Sequence, residues 1–311
     1  MESHVYHIPV MLMPSVDGLN INPSGVYVDV TLGGGGHSRE ILRRLGPEGQ
    51  LFSFDQDADA LLEAQKEATQ ASPQTAQWTL VRSNFRYLKN WMRYYEVEQI
   101  DGLLADLGVS SHHFDEAARG FSFRSDAPLD MRMNQQAGLT AADVVNNYSE
   151  QQLASLFRIY GELKQANKVA ALIVKARQRQ DIRTTSELAT LLNPVLAPAA
   201  QKKDLAKAFQ ALRIEVNHEM DALKEMLSAA VELLRPGGRL VVMSYHSLED
   251  RMVKNLMRSG NIEGNIQQDI YGRVITAIRP IGKPQQADVQ ELELNPRSRS
   301  ATLRVAEKAE T

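Results

Sequence analysis

The sequence predicts an α/β protein: a parallel, Rossmann-like sheet interrupted by an inserted helical domain. Three observations carry this expectation. Short apolar runs alternate with helix-like stretches through the first third of the chain. One further strand-like run, Arg239–Met243, appears only after a long interval, and that interval reads as consecutive helices.

The elements follow in order. Val26–Val30 reads as the first strand, then come four glycines, Gly33–Gly36, and a helix from Ser38 to Leu45. Leu51–Phe54 is a second strand ending at Asp55, and Asp59–Ala71 is helical. Thr79–Arg82 is a third strand and Tyr87–Tyr95 a short helix. Asp101–Leu107 is a fourth strand, apolar enough to be buried on both faces. Strands alternating with helices imply parallel pairing through right-handed crossovers. Ala141–Val145, Glu150–Tyr160, Gln165–Gln180, Thr185–Leu192 and Leu205–Ala211 then read as helices. Residues 112–212 are therefore expected to form the inserted domain, and residues 1–111 with 213–311 the sheet domain. Helix Glu215–Leu234 returns the chain to the sheet, Pro236-Gly237-Gly238 stops it, and Ser247–Met257 is the next helix. Arg273–Ile278 and Ala301–Val305 are expected as antiparallel edge strands.

Composition bounds the function. A chain of 311 residues with 43% hydrophobic and 23% charged residues is an ordinary globular protein. No run approaches membrane-spanning length, and the stretch MESHVYHIPVML has no basic n-region or cleavage site, so a cytoplasmic location is expected. There is no cysteine, which excludes disulfides and any thiolate nucleophile. The net charge of −3 is unevenly spread: Arg158–Arg213 holds 11 bases against four acids, +7, leaving −10 elsewhere. That segment is either a solvated helical face or an electrostatic footprint for phosphates.

A glycine run between strand and helix lets a ligand approach bare backbone at a helix N-terminus. Asp55, 22 residues after Gly33, is placed to take ribose hydroxyls. The dinucleotide fingerprint G-x-G-x-x-G is not met, which favours a nucleoside without pyrophosphate, such as S-adenosylmethionine, over a nicotinamide cofactor. A tight turn with no ligand is the plain alternative. Asp106 ends the fourth strand, where a carboxylate faces the ligand crevice. It can accept an N–H from an exocyclic amine undergoing methylation, or simply cap the following turn. His246, in YHSLEDR, is a second catalytic candidate, though a lone histidine is more often structural; Ser247 with Asp250 reads as a capping box.

Taken together, these stretches resemble one family nearly end to end. They are HIPVML (His7–Leu12), YVDVTLGGGGHS (Tyr27–Ser38), LLADLGVSS (Leu103–Ser111), RGFSFRSDAPLDMRM (Arg119–Met133), YGE (Tyr160–Glu162), RIEVNHEM (Arg213–Met220), SYHSLEDRMVK (Ser244–Lys254) and NPRSRSATLR (Asn295–Arg304). The chain resembles the bacterial RsmH (MraW) family. That resemblance implies a class I S-adenosylmethionine-dependent fold that methylates N4 of a cytosine in small-subunit (16S) ribosomal RNA near the decoding centre. It implies a cofactor site at Gly35, Gly36, His37, Asp55, Phe85, Asp106 and His113, with His113 standing where the family usually has Gln. Pro14 likewise replaces a usual Glu.

The resemblance further implies that the inserted domain recognises substrate. RGFSFRSDAPLDMRM would then close on a flipped cytosine, stacking Phe121 or Phe123 on the base; the plain alternative is a salt-bridged hinge. RNA contacts are expected from Arg124, Arg132, Arg177, Arg179, Arg297 and Arg299. The assembled small ribosomal subunit is the expected partner, no membrane and no metal are expected, and monomer and homodimer both stay open. The absent cysteine excludes thiolate-dependent methylation at pyrimidine C5. A DNA amino-methyltransferase usually carries Pro-Pro-aromatic after the acid, which DLGV lacks. A non-catalytic RNA-binding or assembly factor is the remaining rival.

Overall fold

The computed structural model describes residues 9–68, 76–108, 119–136 and 138–310. The chain divides into two compact units, Met1–Gly108 with Met220–Thr311, and Val109–Glu219.

The first unit opens with helix α1 (Leu12–Gly18), which the hydrophobic pattern does not reveal because it is short and carries Pro14 in its first turn. Strand β1 (Val26–Asp29), helix α2 (Gly36–Arg44), strand β2 (Gln50–Asp55), helix α3 (Ala58–Ala68), strand β3 (Gln77–Arg82), helix α4 (Leu88–Tyr94) and strand β4 (Ile100–Asp106) follow. β1 pairs in parallel with both β2 and β4, and β2 pairs in parallel with β3.

The second unit contains α5 (Ala141–Asn147), α6 (Glu150–Ile159), α7 (Ala166–Arg177), α8 (Thr185–Leu192) and α9 (Gln201–Asn217). Thr140, Ser149 and Thr184 start α5, α6 and α8 with reciprocal capping boxes, satisfying N–H groups that would otherwise be orphaned. Val144, Leu153, Phe157, Val169, Ile173, Leu188 and Leu212 meet in a separate apolar core. The sequence predicts a boundary at Leu212/Arg213 and a helix over Glu215–Leu234. Instead α9 runs on to Asn217, His218 turns left-handed at φ 50°, and α10 (Glu219–Leu233) begins there.

The chain then completes the first unit with β5 (Leu234–Ser244), α11 (Ser247–Ser259), β6 (Ile278–Pro280), β7 (Gln285–Gln286), α12 (Val289–Leu294) and β8 (Thr302–Lys308). The 8-stranded sheet has the order β3-β2-β1-β4-β5-β8-β6, with β7 also pairing β8. β5 joins β4 in parallel; β8 pairs antiparallel with β5, β6 and β7. Two expectations are corrected here. β8 is antiparallel but internal to the sheet, not an edge. Arg273–Ile278 is not a strand: Gln268 and Val274 form an isolated bridge, and the chain pairs with β8 only from Ile278. The exposed positions Ile270, Tyr271 and Ile275 explain why an apolar run there is no buried strand.

Alternation along the parallel strands separates two apolar layers. Val28, Phe52, Leu103 and Val242 face α4, α10 and α11. Tyr27, Leu51, Leu104 and Val241 face α1 and α2. Truncating one of these fully buried side chains to Ala costs about 2–5 kcal/mol. No helix among the described residues is long and apolar enough to cross a membrane.

Candidate active site

Adjacent parallel strands deliver a carboxylate each to the same edge of the sheet: Asp29 ends β1, Asp55 ends β2 and Asp106 ends β4. β5 ends beside them at Ser244 and is followed by Tyr245. This carboxyl edge is where open α/β sheets bind their ligands.

The glycines between β1 and α2 serve different purposes. Gly35 sits left-handed at φ 76° as the N-cap of α2, with no side chain capping the helix. A Cβ on Gly36 would lie 2.0 Å from Pro9 Cγ, so this position is closed to any side chain. A Cβ on Gly34 would meet nothing within 4 Å among the described residues. Protein packing therefore explains Gly36 but not Gly34, whose open face lies beside uncapped helix N–H groups.

Asp55 fixes that loop. Its Oδ2 accepts from Gly33 N at 2.9 Å and its Oδ1 from Asp57 N at 2.9 Å. Phe85, half-buried in the turn after β3, packs against the main core. Asn84 beside it donates to the side chain of Gln56, so the ends of β2 and β3 are tied together.

Asp106 stands at the centre. Tyr245 donates its hydroxyl to Asp106 Oδ1 at 2.6 Å, and Thr31 Oγ1 accepts from Asp106 N at 2.7 Å. His37 Nδ1 is 3.9 Å from Asp106 Oδ2, too far for a hydrogen bond. Loss of water around it pushes the Asp106 carboxyl up to about 6, and Asp29 and Glu249 push the same way; His37 and Tyr245 oppose this. Burial holds His37 below its ordinary value, hence neutral near pH 7. The tautomer with its proton on Nε2 satisfies Val10 O at 3.2 Å and leaves the Nδ1 lone pair towards Asp106. Burial and the neighbouring Asp106 raise the Tyr245 phenol far above its usual range, so it remains a neutral donor.

Sequence reasoning missed Tyr245 as a site residue. Its partner is 139 residues away, and only the pairing of β4 with β5 joins them. Its ring also covers Gly108, whose added Cβ would be 3.4 Å away. Asp29 was missed as well. It is fully buried, accepts from Ser38 Oγ at 2.6 Å and Thr31 N at 3.0 Å, and burial raises its carboxyl. Ser38 in turn meets Ser53, which accepts from Trp78 Nε1 at 2.8 Å. The repeated strand-terminal Asp was a readable signal for this residue.

His246 is the N-cap of α11, with Glu249 as its reciprocal partner. The capping box is thus one residue earlier than the expected Ser247–Asp250 pair, and Asp250 instead holds Arg304 at 2.8 and 2.9 Å. Glu249 also accepts from Tyr245 N at 2.9 Å, fixing the backbone that presents the phenol. His113 lies outside the described residues.

The arginines expected to contact RNA differ in their surroundings. Arg132 is paired with Asp130 at 2.6 Å, and Arg177 donates to Val145 O at 2.8 Å, closing the C-terminal end of α5. Arg124, Arg179 and Arg299 are exposed. The Arg297 side chain lies outside what is described. Phe121 is buried, and Phe123, half-buried, packs edge-on against Phe209, so both rings pack with the helical core.

The donors present fit a nucleoside cofactor with an amino-acid tail. Uncapped N–H groups of α2 suit its carboxylate, Asp55 its ribose, and the face at Gly34 is open among the described residues.

Residues 4–309 match the sequence profile of the MraW methylase family. A protein of Bacteroides thetaiotaomicron named ribosomal RNA small subunit methyltransferase H is 59% identical over 304 residues, spanning 97% of each chain. A Flavobacterium johnsoniae protein of the same name is 52% identical over 303 residues, spanning 97% of this chain and 98% of that one.

Proposed function

Since the chain belongs to the MraW methylase family, we propose that it transfers a methyl group from S-adenosylmethionine to N4 of one cytosine in small-subunit ribosomal RNA, near the decoding centre and in the assembled subunit. The coarser activity, small-subunit ribosomal RNA methylation with S-adenosylmethionine as methyl donor, follows from the family. The N4 position is what the family resemblance implies, and one observation supports methylation of an exocyclic amine: Asp106 at the carboxyl edge of β4, oriented by Tyr245 and raised by burial to about 6.

When bound, S-adenosylmethionine supplies a methyl group on a sulfonium, whose C–S bond breaks as the N–C bond forms. The amine of cytosine is a poor nucleophile because its lone pair is delocalised into the ring. Asp106 Oδ2 has no hydrogen-bond partner among the described residues and accepts an N–H of that amine. This favours the geometry in which the lone pair points at the methyl group. As the bond forms, the same oxygen takes the proton. Tyr245 holds Oδ1 and keeps the carboxylate in one rotamer. Neutral His37 adds no competing positive charge beside the acceptor. The lack of cysteine excludes a thiolate route to C5 but leaves direct attack by the amine untouched. Alignment and desolvation carry the rest of the acceleration.

Nucleoside mass spectrometry of small-subunit ribosomal RNA tests this. Cells lacking the gene should lose an N4-methylated cytidine, regained with the wild-type chain and not with Asp106→Ala. An unchanged nucleoside profile would refute the ribosomal substrate.

A further inference from the structure

The turn between α6 and α7 opens a cavity of about 320 Å3 lined by Arg158, Lys164, Gln165, Ala166, Asn167 and Lys168. Three of the six are cations and none is an acid. Asn167 Oδ1 accepts from the Arg158 guanidinium at 2.5 Å, so that charge is held in place without being neutralised. Lys164 and Lys168 have neither an ion-pair nor a hydrogen-bond partner among the described residues, and both are exposed. No side chain caps the first turn of α7, which adds partial positive charge to the same wall. The surrounding segment is the most basic part of the chain.

The lining also says what the cavity does not read. It has no aromatic wall on which a base can stack, and only Ala166 is apolar. A cleft of cations without a base platform recognises phosphate and carries no sequence information. Three cations on an open surface suit successive phosphates of a chain better than one enclosed anion.

We infer that this cavity binds backbone phosphates of the RNA, fixing its register on the helical unit. The inference rests on the reading above that RNA is the substrate. The site should contribute affinity and salt dependence while leaving base choice unchanged.

The test pairs wild type with Lys164→Glu/Lys168→Glu and the milder Lys164→Gln/Lys168→Gln. Fluorescence anisotropy with a single-stranded RNA oligonucleotide from the small subunit is measured across a salt series. The charge-reversed form should bind about tenfold more weakly, with the slope of log affinity against log salt smaller by about 1 to 1.5. KM for RNA should rise while kcat at saturating RNA stays put. Unchanged affinity and slope would overturn the inference. A titration with inorganic phosphate separates the sources: saturable phosphate binding lost in the variants, with RNA affinity intact, would mark a small-anion site and also overturn it. Failure of the methylation reading looks different. Wild type would then bind RNA through these lysines, with the expected salt slope, yet form no N4-methylcytidine.

Discussion

The Tyr245 hydroxyl and Asp106 Oδ1 are 2.6 Å apart, joining the ends of two neighbouring parallel strands, β4 and β5. The phenol stays neutral and holds the carboxylate in one orientation, while burial raises the acceptor's basicity against the opposing pull of that bond.

Asp106→Ala should slow methyl transfer by about a hundredfold or more while leaving cofactor affinity within about tenfold. Isothermal titration with S-adenosylmethionine alongside single-turnover kinetics separates the two. Unchanged turnover would remove Asp106 from the chemistry.

The pH profile should carry the mark of the raised carboxyl. Asp106 acts ionised, so kcat/KM should climb through about pH 6 and level off above it. Tyr245→Phe removes a bond that favours the carboxylate and should shift this limb to higher pH. Stability runs the opposite way. A carboxyl raised from 3.8 to about 6 by folding contributes stability below pH 3.8 that is lost as pH rises through 6. A rate profile flat between pH 5 and 7, as buffer conditions of about that range would reveal, would contradict the assignment.

Gly34 and Gly36 should behave oppositely. Gly36→Ala drives a methyl into Pro9 and should cost about 1–3 kcal/mol, read as a lower Tm without ligand. Gly34→Ala meets no atom of the described residues within 4 Å and should leave that Tm nearly unchanged while weakening cofactor binding. Equal cofactor affinity in Gly34→Ala would place the ligand elsewhere.

Arg177 and Arg179 should also separate. Arg177→Ala loses the bond to Val145 O and should lower thermal stability by about 1 kcal/mol. Arg179→Glu, on an exposed side chain, should reduce the salt slope of RNA binding by about 0.7 with no change in Tm. The reverse pattern would show that their roles are exchanged.

Much of this was legible in the sequence because local patterns report local causes. Apolar runs ending in Asp gave β2 and β4 and their carboxylates, and GGGG before SREIL gave the loop and α2. What was not legible depends on pairing across the chain. Tyr245 acquires a role only because β5 lies beside β4. Phe121 and Phe123 sit among charges in sequence yet turn into a core that α9 completes with Phe209. The left-handed break at His218 has no glycine to announce it. The capping box moved by one residue because the imidazole of His246 serves as the acceptor usually supplied by Ser or Thr.

The position of β8 has a consequence for how the protein is made. It follows β5, β6 and β7 in chain order, yet all three hydrogen-bond to it and it lies between β5 and β6. During synthesis, β6 and β7 therefore leave the ribosome with no partner available, and β5 shows a bare edge until residues 302–308 emerge. The nascent chain passes through a stage in which most of its apolar strands exist but one side of the sheet is unsealed. Translation stalled before Thr302 should yield a chaperone-dependent product, whereas synthesis through Lys308 should let the sheet close in one step.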